Sequence, residues 1–259
     1  MKHFKIILCL LITGGSLFLN PILTVAQSQT SPTLPTTGIK TTDELLNKFC
    51  NFLKEQSTFT VEIDITYDNV LQSGEKVQYS AYQQVWVNKP NQLRSDYVGD
   101  QRNTSFYYDG KTFTLFNPNL NLYGTKPAPS NLDEAVNNVQ EKYGITIPMS
   151  NLFVSDPCNA IKSEIQTSLY LGANLVNREP TYHILLVGET RNIQLWISQQ
   201  EPFVPLKAII TYKDLPEFPQ YTAIFSNWNF KPEISDNTFT FSPSKDTFKI
   251  EFLPSDEGN

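Results

Sequence analysis

From Phe59 to Tyr67 apolar and polar side chains alternate without a break, Phe59, Val61, Ile63, Ile65 and Tyr67 against Thr60, Glu62, Asp64 and Thr66. A period of two puts the apolar set on one face of an extended chain, so this segment is a half-buried strand. Similar runs follow over about 75–87, 92–98, 103–108, 111–117 and 120–125. After an interruption they return over about 168–177, 180–188, 192–199, 205–213, 219–230, 237–242 and 247–252. The gaps are too short for crossover helices, so neighbouring strands run antiparallel. Asp109-Gly110, between Tyr108 and Lys111, reads as a two-residue hairpin turn.

Helical spacing occurs in three places. Thr41 and Glu44 form a capping box, and Leu45, Phe49, Phe52 and Leu53 make one stripe up to Gln56. The interruption in the strands carries a second stripe, Leu132, Val136, Val139 and Tyr143, from Ser130 to Gly144. Asp156-Pro157 opens a third helix with Cys158, Ile161 and Ile165 on its apolar side. No break in composition divides 41–252, which reads as one domain followed by a short tail, 253–259.

The N-terminus reads as an export signal. Lys2 and Lys5 precede an apolar stretch over 6–19, and Thr24-Val25-Ala26 supplies small residues before Gln27, so 1–26 is expected to be a cleaved signal peptide. Residues 27–40, rich in Ser, Thr and Pro, read as a flexible leader. With 40% hydrophobic residues among 259 the chain is not disordered. A formal charge of −6, with no run among the 20 Lys and Arg, argues against nucleic acid as a partner.

Beyond the signal the inventory for chemistry is small: Cys50, Cys158 and His183. No spacing suits a metal site, no cofactor motif is present, and His183 sits among apolar strand residues with no nucleophile elbow elsewhere. Glu62 with Asp64 on one strand face reads as solvated charge, so no catalytic residue is assigned. Both cysteines lie on apolar helix stripes, and two is the even count of an oxidising compartment, so a Cys50–Cys158 disulfide is expected. Two buried free thiols are the alternative.

In places the strands are apolar on both faces, with Val85 and Val87 pointing one way and Trp86 the other, and Leu195 opposite Trp196. The helical stripes are the available cover for one face. A dozen strands curling around mid-chain helices enclose an apolar volume, either a ligand cavity or a core filled by side chains.

Three segments carry a family resemblance. Val87-Asn88-Lys89-Pro90-Asn91 followed by Leu93-Arg94, Tyr108-Asp109-Gly110-Lys111-Thr112 with Leu115 and Asn117-Pro118, and Phe239-Thr240-Phe241-Ser242-Pro243 are similar, in this order, to strand openings and turns of the LolA-like lipoprotein-localisation factors. The span 41–252 resembles a group of predicted periplasmic proteins of unknown function in that superfamily. The resemblance implies a mainly β (α+β) fold, a half-open antiparallel β-barrel of about 11–12 strands with an N-terminal helix and a two-helix lid over 130–166. It also implies a periplasmic, non-enzymatic carrier of a hydrophobic small molecule or lipidated protein, monomeric, in transient contact with a membrane or membrane protein. Lys89 stands where such carriers place an arginine that holds the lid shut, and Arg94 is a second clamp candidate; lysine lacks the planar fork of arginine.

The ligand-lining expectation is Val61, Ile63, Val85 and Tyr97 from strands and Leu152 and Phe153 from the segment between the lid helices. Gly144 and Asp156-Pro157 bracket that segment with a helix stop and a helix start, the form of a hinge. The competing reading is a protein-interaction or envelope-sensing module with a filled barrel, for which Met149, Leu152, Phe153 and Val154 are contact residues.

Overall fold

The computed structural model describes residues 41–251 except 146, 148 and 236; the expected signal peptide, leader and tail lie outside the described residues. A single sheet holds all twelve strands, in the order β12-β6-β5-β4-β3-β2-β1-β11-β10-β9-β8-β7. In chain order these are β1 (Thr58–Val70), β2 (Lys76–Asn88), β3 (Gln92–Gly99), β4 (Asn103–Tyr108), β5 (Thr112–Asn117) and β6 (Leu122–Pro127). They continue as β7 (Ile165–Val176), β8 (Glu179–Gly188), β9 (Arg191–Ser198), β10 (Pro205–Tyr212), β11 (Gln220–Asn229) and β12 (Phe248–Lys249). Each half is an antiparallel meander, and the pairing of β1 with β11, Ile63 opposite Phe225 and Tyr67 opposite Tyr221, joins the two. The sheet does not close, so the architecture is the half-open barrel that the family resemblance implied.

Alternation sets the concave face. Val61, Ile63 and Ile65 on β1, Val85 and Val87 on β2, Phe106 and Tyr108 on β4, and Ala223 and Phe225 on β11 are all buried in one cluster. The outer face carries the opposite register, and there Arg94 lies over the rings of Trp86 at 4.8 Å and Tyr107 at 4.9 Å.

Helix α1 (Thr42–Glu55) begins with the capping box expected of Thr41 and Glu44. Its stripe Leu45, Phe49, Cys50 and Leu53 is fully buried. Phe52 meets Phe230 edge-on at 4.8 Å, and Phe230 packs on Phe59 at 6.0 Å, so α1 plugs the end of the barrel where β1 begins. Helix α2 (Leu132–Tyr143) starts at Asn131, whose side chain caps Glu134 N, and stops at Gly144 in the left-handed conformation, φ 64°. Leu132 N donates to Pro90 O at 2.8 Å, and Tyr108 Oη donates to Pro129 O at 2.6 Å, which fixes the start of α2 over the sheet. Helix α3 (Pro157–Lys162) is capped by Asp156 and tied to α1 by Lys54–Asp156 at 2.7 Å and Lys162–Asn47 at 2.6 Å.

Several expectations change. Residues 237–242 form turns, not a strand: Phe239 is buried, and Phe241 packs on Tyr107, Phe116 and Tyr123 at 5.4, 4.9 and 5.1 Å. Ring packing from a turn mimics strand alternation over so short a stretch, and it covers the outer face of β4–β6. Ile165 opens β7 and does not continue α3, because the helix ends at Lys162. The last strand is two residues long and parallel to β6. The expected disulfide is absent: both thiols are free, with the Cys50 thiol pushed up chiefly by burial and beside Cys158.

The Asp109-Gly110 turn is held by Asp109 Oδ1, which accepts from Lys111 N at 2.9 Å and Thr112 N at 2.7 Å. Gly110 has φ 88°, and a Cβ there would lie 2.7 Å from Asn91 Nδ2. Gly110→Ala is therefore expected to lower stability by about 1–3 kcal/mol. Phe49→Ala is expected to lower it by about 3–5 kcal/mol. Urea unfolding checks both as lower midpoints at unchanged slope.

Candidate functional site

The two ends of the barrel are filled differently. Phe59, Val61, Val85, Leu93 and Phe113 are fully buried with α1 and border none of the cavities below. Toward the other ends of β1 and β2 the inward positions become Tyr67 and Gln83, and there the interior is hollow. A cavity of about 300 Å³ lies between Val136 and Gln140 of α2, Leu152 and the strand residues Leu195, Ile210 and Tyr221. A second, of about 360 Å³, is bounded by Gln83, Tyr97, Phe106, Leu115 and Ile145. Ile147 borders both. Thr104, Leu115 and Ile145 are shared between the second cavity and an apolar groove of about 340 Å³ along β5 and β6.

Polar groups interrupt these walls at inward positions. Gln83, 2% exposed, donates to Ser95 Oγ at 2.8 Å, and its Oε1 has no partner. Tyr221, 8% exposed, has a buried hydroxyl without a partner. Burial raises both tyrosines at the walls: Tyr97 is pushed up to about 12, and Tyr221 rises further still, so both hydroxyls keep their protons near neutrality. Arg191 pairs with Glu164 at 3.0 Å on the wall of the first cavity.

The residues expected to line a ligand separate into two groups. Tyr97 borders the second cavity and Leu152 the first. Val61, Ile63 and Val85 face inward, but they belong to the packed end; Phe153 is fully buried 6.2 Å from Phe59. With Leu152 and Phe153 both buried, neither is an exposed docking residue. Lys89 reaches α1: its Nζ donates to Leu53 O at 2.8 Å and sits 5.8 Å from the Phe59 ring, with Asp133 of α2 as an attractive charge nearby. Arg94 does not meet the lid. It lies on the outer face, paired with Asp96 at 2.7 Å and 3.5 Å from Thr238 O.

His183 stacks on Trp196 at 3.9 Å and bonds Gln194 at 3.1 Å, and burial lowers it, so it is neutral near pH 7. Among the described residues no group of three or more His, Cys, Asp and Glu could hold a metal ion. The arrangement is suited to holding a molecule by shape, apolar contact and a few hydrogen bonds. Gln83, Ser95, Arg102 and Tyr221 are the wall residues that the sequence reading missed. The signal for the first two was a polar side chain in the register of Val85, Val87 and Leu93.

Residues 42–253 match the family described as predicted periplasmic protein, DUF2092. The chain belongs to this family. The protein is accordingly periplasmic, as the family resemblance implied. No curated protein sequence is significantly similar. Solved structures similar to this member include an uncharacterized conserved protein from Thermus thermophilus, 8% identical over 80% of this chain and 97% of that one, TM-score 0.47. A LolA superfamily protein from Nitrosomonas europaea is 14% identical over 78% and 98%, TM-score 0.35. The lipoprotein LppX from Mycobacterium tuberculosis is 13% identical over 75% and 100%, TM-score 0.40.

Burial brings the Lys89 ammonium down to about 8. An unfolded lysine keeps its proton to about 10.4. Between these values the unfolded chain binds more protons, so the Lys89 contribution to stability grows as pH rises. The difference in unfolding free energy between the wild type and Lys89→Met is expected to shift in favour of the wild type from pH 7.5 to 9.5, by about 1–2 kcal/mol once solvent screening of this part-buried amine is allowed for. A pH-independent difference would place the amine in water.

Proposed function

We propose that the protein is a non-enzymatic periplasmic binding protein that holds an acyl chain in the hollow half of the barrel, beneath α2 and the segment that follows it. The observation that carries this reading is the contrast between the ends: side chains are packed at α1, and neighbouring cavities lie beneath α2 and the segment that follows it. Burying a chain in such space is favourable by about 0.8 kcal/mol per methylene, which requires no polar code. An acyl-binding role also accords with the family's periplasmic location, where a lipid in transit needs shelter from water.

A transient docking role is supported by a separate feature. The edge strand β7 exposes Leu169, Tyr170, Leu171 and Leu175 at 45–64%. Its unpaired edge and apolar side chains suit brief contact with a membrane or membrane protein, through which a hydrophobic ligand is received or handed on.

Protein purified natively from the envelope, extracted with organic solvent and analysed by mass spectrometry, is expected to yield a recurrent lipid. In solution a fluorescent fatty acid is expected to bind saturably. Leu115→Trp, which fills the junction of the second cavity and the groove, should weaken binding at least tenfold, whereas Val98→Trp on the exposed surface should leave it unchanged. Absence of saturable binding in the wild type, or equal weakening by both substitutions, would overturn the assignment.

A further inference from the structure

The second cavity is polar toward β2 and β3 and apolar toward β5. Gln83, Ser95, Tyr97 and Arg102 stand on β2, β3 and the turn before β4, and Phe106, Leu115, Ile145 and Ile147 stand on β4, β5 and the segment after α2, with Thr104 where the cavity meets the groove. Strand pairing builds the polar end: Gln83 lies opposite Tyr97 across β2 and β3. Arg102 projects from the turn before β4, exposed at the mouth, with its guanidinium 5.3 Å from the Tyr97 ring centre. Among the described residues no carboxylate lies within ion-pairing distance of it. Asp100 is directed elsewhere and accepts from Ser80 N at 2.7 Å. An uncompensated guanidinium thus stands over a cavity whose wall, deeper in, holds the orphaned Gln83 Oε1.

The orphaned amide is costly without a ligand, whereas the exposed guanidinium is hydrated and free to take an anion. A buried amide oxygen with no partner forfeits its hydration, and side chains that could be apolar at this register would pack better. Ser95 Oγ can donate or accept, so the Gln83 amide can turn either its oxygen or its nitrogen to an incoming group. The Tyr97 hydroxyl keeps its proton at neutral pH and is engaged with Tyr67, so the ring serves as wall beside Arg102. Arg102 and the Gln83–Ser95 pair match an oxyanion at the mouth, and the apolar end and groove match the chain behind it.

We propose, building on the acyl-binding reading, that the second cavity selects anionic single-chain amphiphiles. Arg102 takes the carboxylate or phosphate head group, the Gln83–Ser95 pair supplies an adaptable hydrogen bond within the polar end, and the chain runs past Leu115 and Ile145 into the groove of β5 and β6. The ligand is then a free fatty acid or a lysophosphatidic acid, not a neutral lipid.

Competition against a bound fluorescent fatty acid, with palmitate, palmitoyl lysophosphatidic acid and hexadecanol, tests this. At least one anionic ligand is expected to bind about tenfold more tightly than the alcohol, and Arg102→Gln should erase that advantage without altering hexadecanol affinity. Which anion binds more tightly identifies the head group. The double substitution Gln83→Leu/Ser95→Ala removes both polar groups together, and is expected to keep or raise the melting temperature of the free protein while reducing the preference for the anion. Equal affinity for all three ligands, or a preference that survives Arg102→Gln, would overturn the head-group site and leave the acyl-binding role standing. Failure of all three to compete would instead remove the acyl-binding role.

Discussion

An open antiparallel sheet with an apolar concave face must be covered, and the rest of this structure follows from how three short helices do so. Twelve strands in one continuous sheet present Ile63, Ile65, Val85, Phe106, Ala223 and Phe225 to the same side. Helix α1, buried along one face from Leu45 to Leu53, is long enough to fill one end. The remaining cover is a helix, a 3₁₀ turn at Ser150–Leu152 and a six-residue helix, and it bridges the opposite end without filling it. Space remains because a roof touches the sheet at its rims, whereas a plug touches it throughout.

The linkages of the roof are unevenly distributed. Polar bonds hold its two outer parts: Leu132 to Pro90 and Ser155 to Asp133 at the start of α2 and before α3, then Lys54 to Asp156 and Lys162 to Asn47 between α3 and α1. Between them Ile147 and Leu152 contribute apolar contact and wall to the cavities. Exposed ion pairs such as Lys54–Asp156 contribute little each. Position, more than strength, is what they supply: α3 is kept on α1, so the hollow stays on the side of α2. The outer face is treated separately, by the turns around Phe239 and Phe241.

Much of this was legible from period alone. Alternation from Phe59 to Tyr67 identified β1 and its inward face, the capping box identified the start of α1, and Gly144 identified the end of α2. Phe239 and Phe241 misled because two aromatics spaced by two are equally compatible with a packed turn. The site was legible only in part. Val61 and Val85 were assigned the correct face, yet position along the strand decides between plug and hollow, and the sequence carries no mark of where α1 ends against the sheet. Gln83 and Ser95 carried the better signal, polar side chains at core register. The cysteine arithmetic failed because an even count and matching stripes bring Cys50 and Cys158 together without requiring a bond between them.

The claim on which the functional reading depends is that ligand occupies the hollow end and not the α1 end. Photo-crosslinking with a fatty acid bearing a diazirine on its chain, followed by peptide mapping, measures this directly. Labels are expected on the peptides carrying Phe106, Leu115, Ile145 and Ile147. Labels confined to α1, to Phe59 and Leu93, or to the outer-face residues Trp86 and Tyr107 would contradict it.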